Sequence, residues 1–319
     1  MNKPKFILKV ILPLLLGIAL VWYSLSKISI PTLVQYFKDA DYVWILLGAL
    51  LGILSHSSRA YRWLYMVQPL GFKPKFANSF MAVYSAYLIN FTIPRAGELA
   101  RASILTNYEK VPFDKGIGTI VAERIADTLM LLLVITVALF LEFEFIYEFF
   151  TDKFNLGTLI LGGLGLVIAA IVTILFLKKS TNKLVLKLKS FLSGLVEGLL
   201  SIFKMEHKWA FIFHTFFIWT MYVLMFYVTT FALPELGHIS IAAALIGFIL
   251  ASFSIAATNG GIGSFPEAVV IAFLIFNLPE DASRAFGWIM WSTQTLVIII
   301  IGGLSLIYLP IYNRKRLKV

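Results

Sequence analysis

Apolar runs long enough to cross a bilayer recur along this chain from near its start to near its end. That pattern leaves a helical membrane bundle as the simplest fold. A bilayer core takes ~20 apolar residues in helical form. Residues 6–25, 42–66, 117–141, 156–177, 209–233 and 285–309 each supply such a run. Lys3, Lys5 and Lys9 precede the first run as in a signal peptide, but no small-residue cleavage site follows it, so it is an uncleaved span. Charged residues make up 14% of the chain, against ~25% in soluble domains, which excludes an ordinary water-soluble enzyme. With no cysteine, disulfides, thiolate nucleophiles and Cys-ligated zinc are excluded as well.

Two more apolar segments are interrupted. Residues 78–107 contain Pro94-Arg95-Ala96-Gly97-Glu98, and residues 240–277 contain Asn259-Gly260-Gly261-Ile262-Gly263-Ser264-Phe265-Pro266-Glu267. Each splits into halves of ~14–18 residues, short for a crossing at ~1.5 Å per residue. The predicted fold is therefore an all-α integral membrane bundle of about six full spans plus two re-entrant helical hairpins, forming a single domain over 1–319. With the N-terminus inside, Lys27, Lys38, Lys153 and Arg284 fall outside. Lys73, Lys75, Lys110, Lys115, the Lys178–Lys208 stretch and the tail Arg314, Lys315, Arg316 and Lys318 fall inside. This predicts a multi-pass protein of the plasma (inner) membrane with both termini cytoplasmic. The net charge of +10 is then explained by sidedness and by anionic headgroups rather than by nucleic acid. The order of span, span, hairpin, span occurs twice, over about 6–141 and about 156–309, which predicts an inverted repeat. Leu184, Leu188, Leu192, Leu195 and Leu199 recur at helical spacing within 180–206. They suit an amphipathic helix on the cytoplasmic surface and equally a linker helix packed on the bundle.

Three clusters carry the candidate chemistry. In Pro94-Arg95-Ala96-Gly97-Glu98-Leu99-Ala100-Arg101, Glu98 lies in the first turn of the second half-helix, Arg101 shares its face, and Arg95 sits at the break. A charge at membrane depth costs at least ~2.5–3.5 kcal/mol, so these groups are paired or face water. Arginine's planar fork suits a phosphate; a salt-bridged knot holding the break is the other reading. In Glu123-Arg124-Ile125-Ala126-Asp127 the two acids share a helix face and Arg124 can reach Asp127. Two acids and one arginine leave a surplus negative charge for Arg95 or Arg101 to neutralise. The cluster serves either a headgroup or coupling proton, or a purely structural network. At the second break, Gly260, Gly261 and Gly263 can turn backbone N–H groups toward an anion, Ser264 can cap the following helix, and Pro266 and Glu267 lie in its first turn. A plain helix-breaking turn explains these residues equally. Arg59 and Arg62, with Trp63 and Tyr65, end the second run as an interface anchor. His56, His207, His214 and His238 are scattered and read as packed or interfacial. No metal-ligand spacing and no GxSxG, HExxH or nucleotide motif appears, so no catalytic residue, metal or cofactor is expected.

Taken together, Arg59-Ala60-Tyr61-Arg62-Trp63, Asn90 with the Pro94 to Arg101 motif (Gly97 included), Glu123-Arg124-Ile125-Ala126-Asp127, and Gly261-Ile262-Gly263-Ser264 through Glu267 resemble the lysylphosphatidylglycerol synthase transmembrane-region family, or flippase-like domain. The resemblance covers almost the whole chain. It implies an integral plasma-membrane protein with a lipid-linked role. Its best-understood members join this domain to a cytosolic aminoacyl transferase, and the membrane part moves the modified phospholipid across the bilayer. Here the sequence ends at Val319, shortly after the last run, so aminoacyl transfer is not expected. The leading expectation is a translocator of an anionic or zwitterionic phospholipid, or of a polyprenyl-linked lipid. Arg95, Arg101 and Arg124 would engage phosphate near Asn259, Gly261, Gly263 and Ser264. Glu98, Glu123, Asp127 and Glu267 would hold the arginines or carry a proton. The alternatives are a membrane-embedded enzyme acting on lipid-linked sugars or modified phospholipids, with Glu123 or Asp127 as base or metal ligand, and an accessory subunit of an envelope enzyme. A homo-oligomer is the other partner state considered.

Overall fold

A computed structural model describes residues 3–93, 96–144, 186, 205–258 and 260–314. The predicted span at 156–177, most of the 180–206 connection, and Pro94, Arg95 and Asn259 lie outside the described residues. Those described form helices, short turns and no strand. In chain order the α-helices are α1 (Lys3–Ser26), α2 (Ile30–Asp39), α3 (Tyr42–Val67), α4 (Phe76–Thr92), α5 (Ala96–Glu109), α6 (Phe113–Leu141), α7 (Lys208–Thr230), α8 (Ile241–Ala257), α9 (Ser264–Leu274) and α10 (Glu280–Tyr312). Among the described residues four helical stretches are long and apolar enough to cross a bilayer: Tyr42–Leu70, Phe113–Leu141, Lys208–Thr230 and Glu280–Tyr312. α1 and α2, bent by 85°, add a fifth if taken as one broken span. Helix pairs α4/α5 and α8/α9 are the two interrupted segments; their breaks fall at Ile93–Arg95 and at Thr258–Gly263.

Local chemistry sets the boundaries. Ser29 Oγ accepts from Thr32 N–H at 3.1 Å and Pro31 opens the first turn, which starts α2 after the bend. Asp41 caps α3 by accepting from Val43 N–H at 2.9 Å, and Ser240 caps α8 by accepting from Ala243 N–H at 3.0 Å. Each cap satisfies one of the backbone N–H groups that a helix start leaves without an intrahelical partner.

α3 packs along α7, α4 on α5 and α10, and α9 on α8 and α10. Small residues allow these approaches, as bilayer helix packing requires. A Cβ on Gly97 would run into the carbonyl of Ala86, so α5 lies directly against α4. Asn90 Oδ1 then accepts from Gly97 N–H at 2.8 Å. Asn78 and Asn313 exchange amide hydrogen bonds at 3.0 and 2.7 Å and clasp α4 to the end of α10.

Two apolar cores result. One joins α7, α8, α9 and α10 through residues such as Phe226, Phe248, Phe273 and Phe286. The other joins α3, α4, α5 and the start of α6 through Trp63, Ala82, Leu105 and Ile120. The buried charges of α3, α5 and α6 lie beside this second core.

Candidate functional site

α3 presents Arg59 and Arg62 on one face, and α6 presents Glu123 and Asp127 one turn apart on the face opposite. Arg59 Nη1 donates to Glu123 Oε1, and to Asp127 Oδ2 at 2.7 Å. Arg62 Nη2 donates to Asp127 Oδ1 at 2.8 Å, and its Nη1 donates to Thr215 Oγ1 at 3.1 Å. From α5, Arg101 forks onto Glu123 at 2.8 and 3.2 Å. Its guanidinium also stacks 3.8 Å from the Trp63 ring. Arg62 and Glu123 have no exposed surface at all. Both carboxylates therefore accept from arginine through both oxygens, and three cations face two anions.

Arg59 and Arg62 are thus not an interface anchor. They point inward because Glu123 and Asp127 demand counter-ions that lipid cannot provide. The expected charge balance also reverses: once the α3 arginines are counted, the surplus is positive. Arg101, one of the two arginines expected to neutralise the acids and also expected to engage phosphate, is held by Glu123, while Arg124 pairs mainly with Glu98 and keeps Asp127 within ion-pair reach. Arg124 Nε donates to Glu98 Oε1 at 3.0 Å, while Asp127 lies 3.9 Å away. The side chains of Arg124 and Glu98 are 48% and 38% exposed, and that exposure is into a cavity.

The cavity holds about 780 Å³, within the size of small-molecule sites. Glu98 and Arg124 are among the residues that line it. Residues flanking both breaks line it: Asn90 and Phe91 in the last turn of α4, and Thr258, Gly260 and Phe265 at and just after the second break. The remaining walls are mostly apolar, with Phe226, Phe248, Ile255 and Ile298 among them, and polar groups come from His56, Tyr87, Tyr222 and Gln294. Tyr222 links them to the charge cluster, since its hydroxyl accepts from Arg59 Nη2 at 3.5 Å and contacts His56 Nδ1 at 3.3 Å.

The second break differs in detail from its sequence reading. Gly263, in the left-handed region at φ 69°, occupies the cap position of α9, and Ser264 is the first helical residue without a capping bond. Ser264 Oγ instead pairs with Thr258 Oγ1 at 2.7 Å and donates to Ser254 O at 3.3 Å, closing the turn on itself. A Cβ on Gly263 would strike the α1 backbone, 2.5 Å from Val21 N, so this glycine faces α1 and does not line the cavity. Gly260 does line it, and its carbonyl accepts from Trp291 Nε1 at 2.8 Å. Gly261 packs between Phe265, Ile255 and Trp291.

Glu267 is not brought to the first cluster. It accepts from Arg284 at 3.1 and 3.4 Å, and Arg284 also reaches Glu280 at 3.0 Å. Arg284 is buried in the first turns of α10. Its signal was its position four residues after Glu280 at a helix start. His56 is packed, as read, among Tyr84, Tyr87 and Tyr222. The cavity aromatics carried no sequence signal, because Trp219, Tyr222 and Trp291 sit in apolar runs where rings are ordinary.

Against known protein families, the model described as the lysylphosphatidylglycerol synthase TM region matches residues 10–310. A UPF0104 membrane protein of Methanocaldococcus jannaschii is similar at 22% identity over 305 residues, covering 85% of this chain and 86% of its own. No solved structure matches.

Proposed function

We propose, from the premise that this chain belongs to the lysylphosphatidylglycerol synthase TM region family, that it translocates a phospholipid or lipid-linked phosphate across the plasma membrane. One observation carries the reading: residues beside both helix breaks line a single cavity, and a half-exposed arginine in it is backed by a buried cluster with surplus positive charge. In this reading α4/α5 and α8/α9 are re-entrant hairpins of two inverted repeats, and both termini are cytoplasmic. The headgroup occupies the cavity while the tails stay in hydrocarbon. Arg124 engages the phosphate, and Glu98 holds Arg124 when no headgroup is present. Arg59, Arg62, Arg101, Glu123 and Asp127 keep the local potential positive without meeting the lipid. Motion is rocking of one repeat against the other about the breaks.

The pairing of both oxygens of Glu123 and of Asp127 with arginine supports a holding role for these acids over that of a base.

The test is flip-flop of acyl-labelled phospholipids in proteoliposomes of full-length protein. Wild type moves at least one headgroup class well above empty liposomes, and Arg124→Ala lowers the rate about tenfold, the loss of one charge-assisted contact. Equal rates for wild type, Arg124→Ala and empty liposomes across several headgroups would sink the reading.

A further inference from the structure

His56 is a buried imidazole on the cavity wall, three residues before Arg59 on α3, with 8% of its surface exposed. The rings of Tyr84, Tyr87 and Tyr222 pack around it, Tyr87 nearest at 4.6 Å between centroids. Its two nitrogens meet different surroundings. Nδ1 lies 3.3 Å from the Tyr222 hydroxyl, whose oxygen accepts from Arg59 Nη2 at 3.5 Å. Arginine can only donate, and a phenol carries one proton. That proton therefore points at Nδ1, and Nδ1 is the acceptor. A ring whose Nδ1 accepts carries its own proton on Nε2. Nε2 has no hydrogen-bond partner among the described residues, yet it is not sealed off as Trp219 Nε1 and Gln294 Nε2 are. Its N–H thus opens on the cavity that the ring borders.

We infer that His56 is a headgroup contact: a neutral imidazole whose Nε2–H donates to an oxygen of the lipid phosphate, with its tautomer set by Arg59 through Tyr222. This deepens the translocation reading and rests on it. Arg59, Tyr222, His56 and the phosphate form one chain of donors and acceptors, and each link polarises the next. The surplus charge of the buried cluster then reaches the cavity as a strengthened N–H, while Arg59 itself stays sealed. Tyr222 and Arg59 are positioning residues in this chain, and His56 makes the contact. Arg124 supplies the other hold. Arg59 and Arg124 approach the same oxygen of Asp127, at 2.7 and 3.9 Å, so both donor arms hang from one carboxylate. Two arms anchored together suit two oxygens of one phosphate. The contact is made to the phosphate, which every phospholipid headgroup shares, so it is indifferent to the alcohol or amine that the phosphate carries.

The experiment follows the ring nitrogens of isotope-labelled histidine by NMR in full-length protein in detergent, with the His56 signal identified by its loss in His56→Gln. Wild type shows the Nε2–H tautomer, and Tyr222→Phe, which removes the phenol proton, shows a mixture of tautomers. Added phosphatidylglycerol shifts the His56 signal, and inorganic phosphate at the same concentration does not. In proteoliposomes His56→Phe lowers the flip rate about tenfold, the loss of one hydrogen bond to a charged group. His56→Gln, which returns an N–H at similar reach, recovers most of that rate. An Nδ1–H tautomer or a doubly protonated ring in wild type overturns the chain from Arg59. A response to inorganic phosphate as large as that to the lipid overturns the lipid as occupant. His56→Phe flipping lipid at the wild-type rate overturns the inference and leaves translocation through Arg124 standing. Wild type no faster than empty liposomes overturns both.

Discussion

Arg101 on α5 reaches Glu123 on α6, and Glu267 on α9 reaches Arg284 on α10. At both places the helix that follows a break is tied to the next long helix by a buried ion pair, with the signs exchanged. The two differ in what surrounds them. Around Glu123, three arginines meet two carboxylates, sealed from solvent on α3, α5 and α6. Around Arg284, two carboxylates meet one arginine, and the second, Glu280, is half exposed at the helix start. The first group is a shared network whose surplus has no outlet except the neighbouring cavity. The second is a self-contained clasp whose excess charge escapes to the helix end. Similar fastening can thus leave one region electrostatically poised and the other neutral in effect.

Glu123→Ala tests that contrast most severely. It strands the buried Arg101 and leaves Arg59 with Asp127 alone, and breaking a buried ionic group costs about 3–5 kcal/mol. Thermal unfolding followed in detergent is expected to shift far enough that monodisperse protein is hard to recover, and a loss below about 1 kcal/mol would show that the network is no network. The clasp is expected to be milder and replaceable. Arg284→Met or Glu267→Met alone costs about 2–3 kcal/mol, while the double variant returns to within about 1 kcal/mol of wild type, because an apolar pair can replace an isolated buried ion pair. A double-mutant cycle on unfolding reads this coupling directly. Gly97→Ala, which would push α5 off the Ala86 carbonyl, costs about 1–3 kcal/mol by overpacking. It also moves Arg101 relative to Glu123, and so should lower lipid movement beyond its effect on stability. Arg124→Gln is expected to be the smallest in stability, below about 1 kcal/mol because its pair is half exposed, with unfolding read in the same detergent. Its lipid flip rate falls nonetheless, which separates the group that faces the cavity from the groups that support it.

Much of this architecture was legible in the residues. Spans near 42–66, 117–141, 209–233 and 285–309 agree with α3, α6, α7 and α10 to within a few residues, because ~20 apolar residues in a row admit few other folds. The breaks were legible from proline and glycine inside apolar runs. That Arg95 or Arg101 would neutralise the acids of α6 followed from the cost of burying charge, but not that Glu123 would hold Arg101 and withdraw it from a phosphate. What failed was direction. Arg59 and Arg62 end a span, where arginine usually faces headgroups, and only the acids 64 residues later reveal that they turn inward. Ser264 looked like a cap because helix starts favour serine, yet Gly263 in its left-handed turn takes the cap position. Glu267 was assigned to the wrong arginine, since sequence spacing near a break says little about which neighbour lies across it.

The bond from Trp291 to the Gly260 carbonyl gives the molecule an optical reporter. An indole whose N–H is held by a backbone carbonyl emits differently from one released to water or to a ligand. The carbonyl it holds belongs to the second break, so any rearrangement there is recorded in the emission of α10. The difference spectrum between wild type and Trp291→Phe isolates that signal from the other tryptophans. Collected while lipid is added, it times the movement of the break without a label being attached.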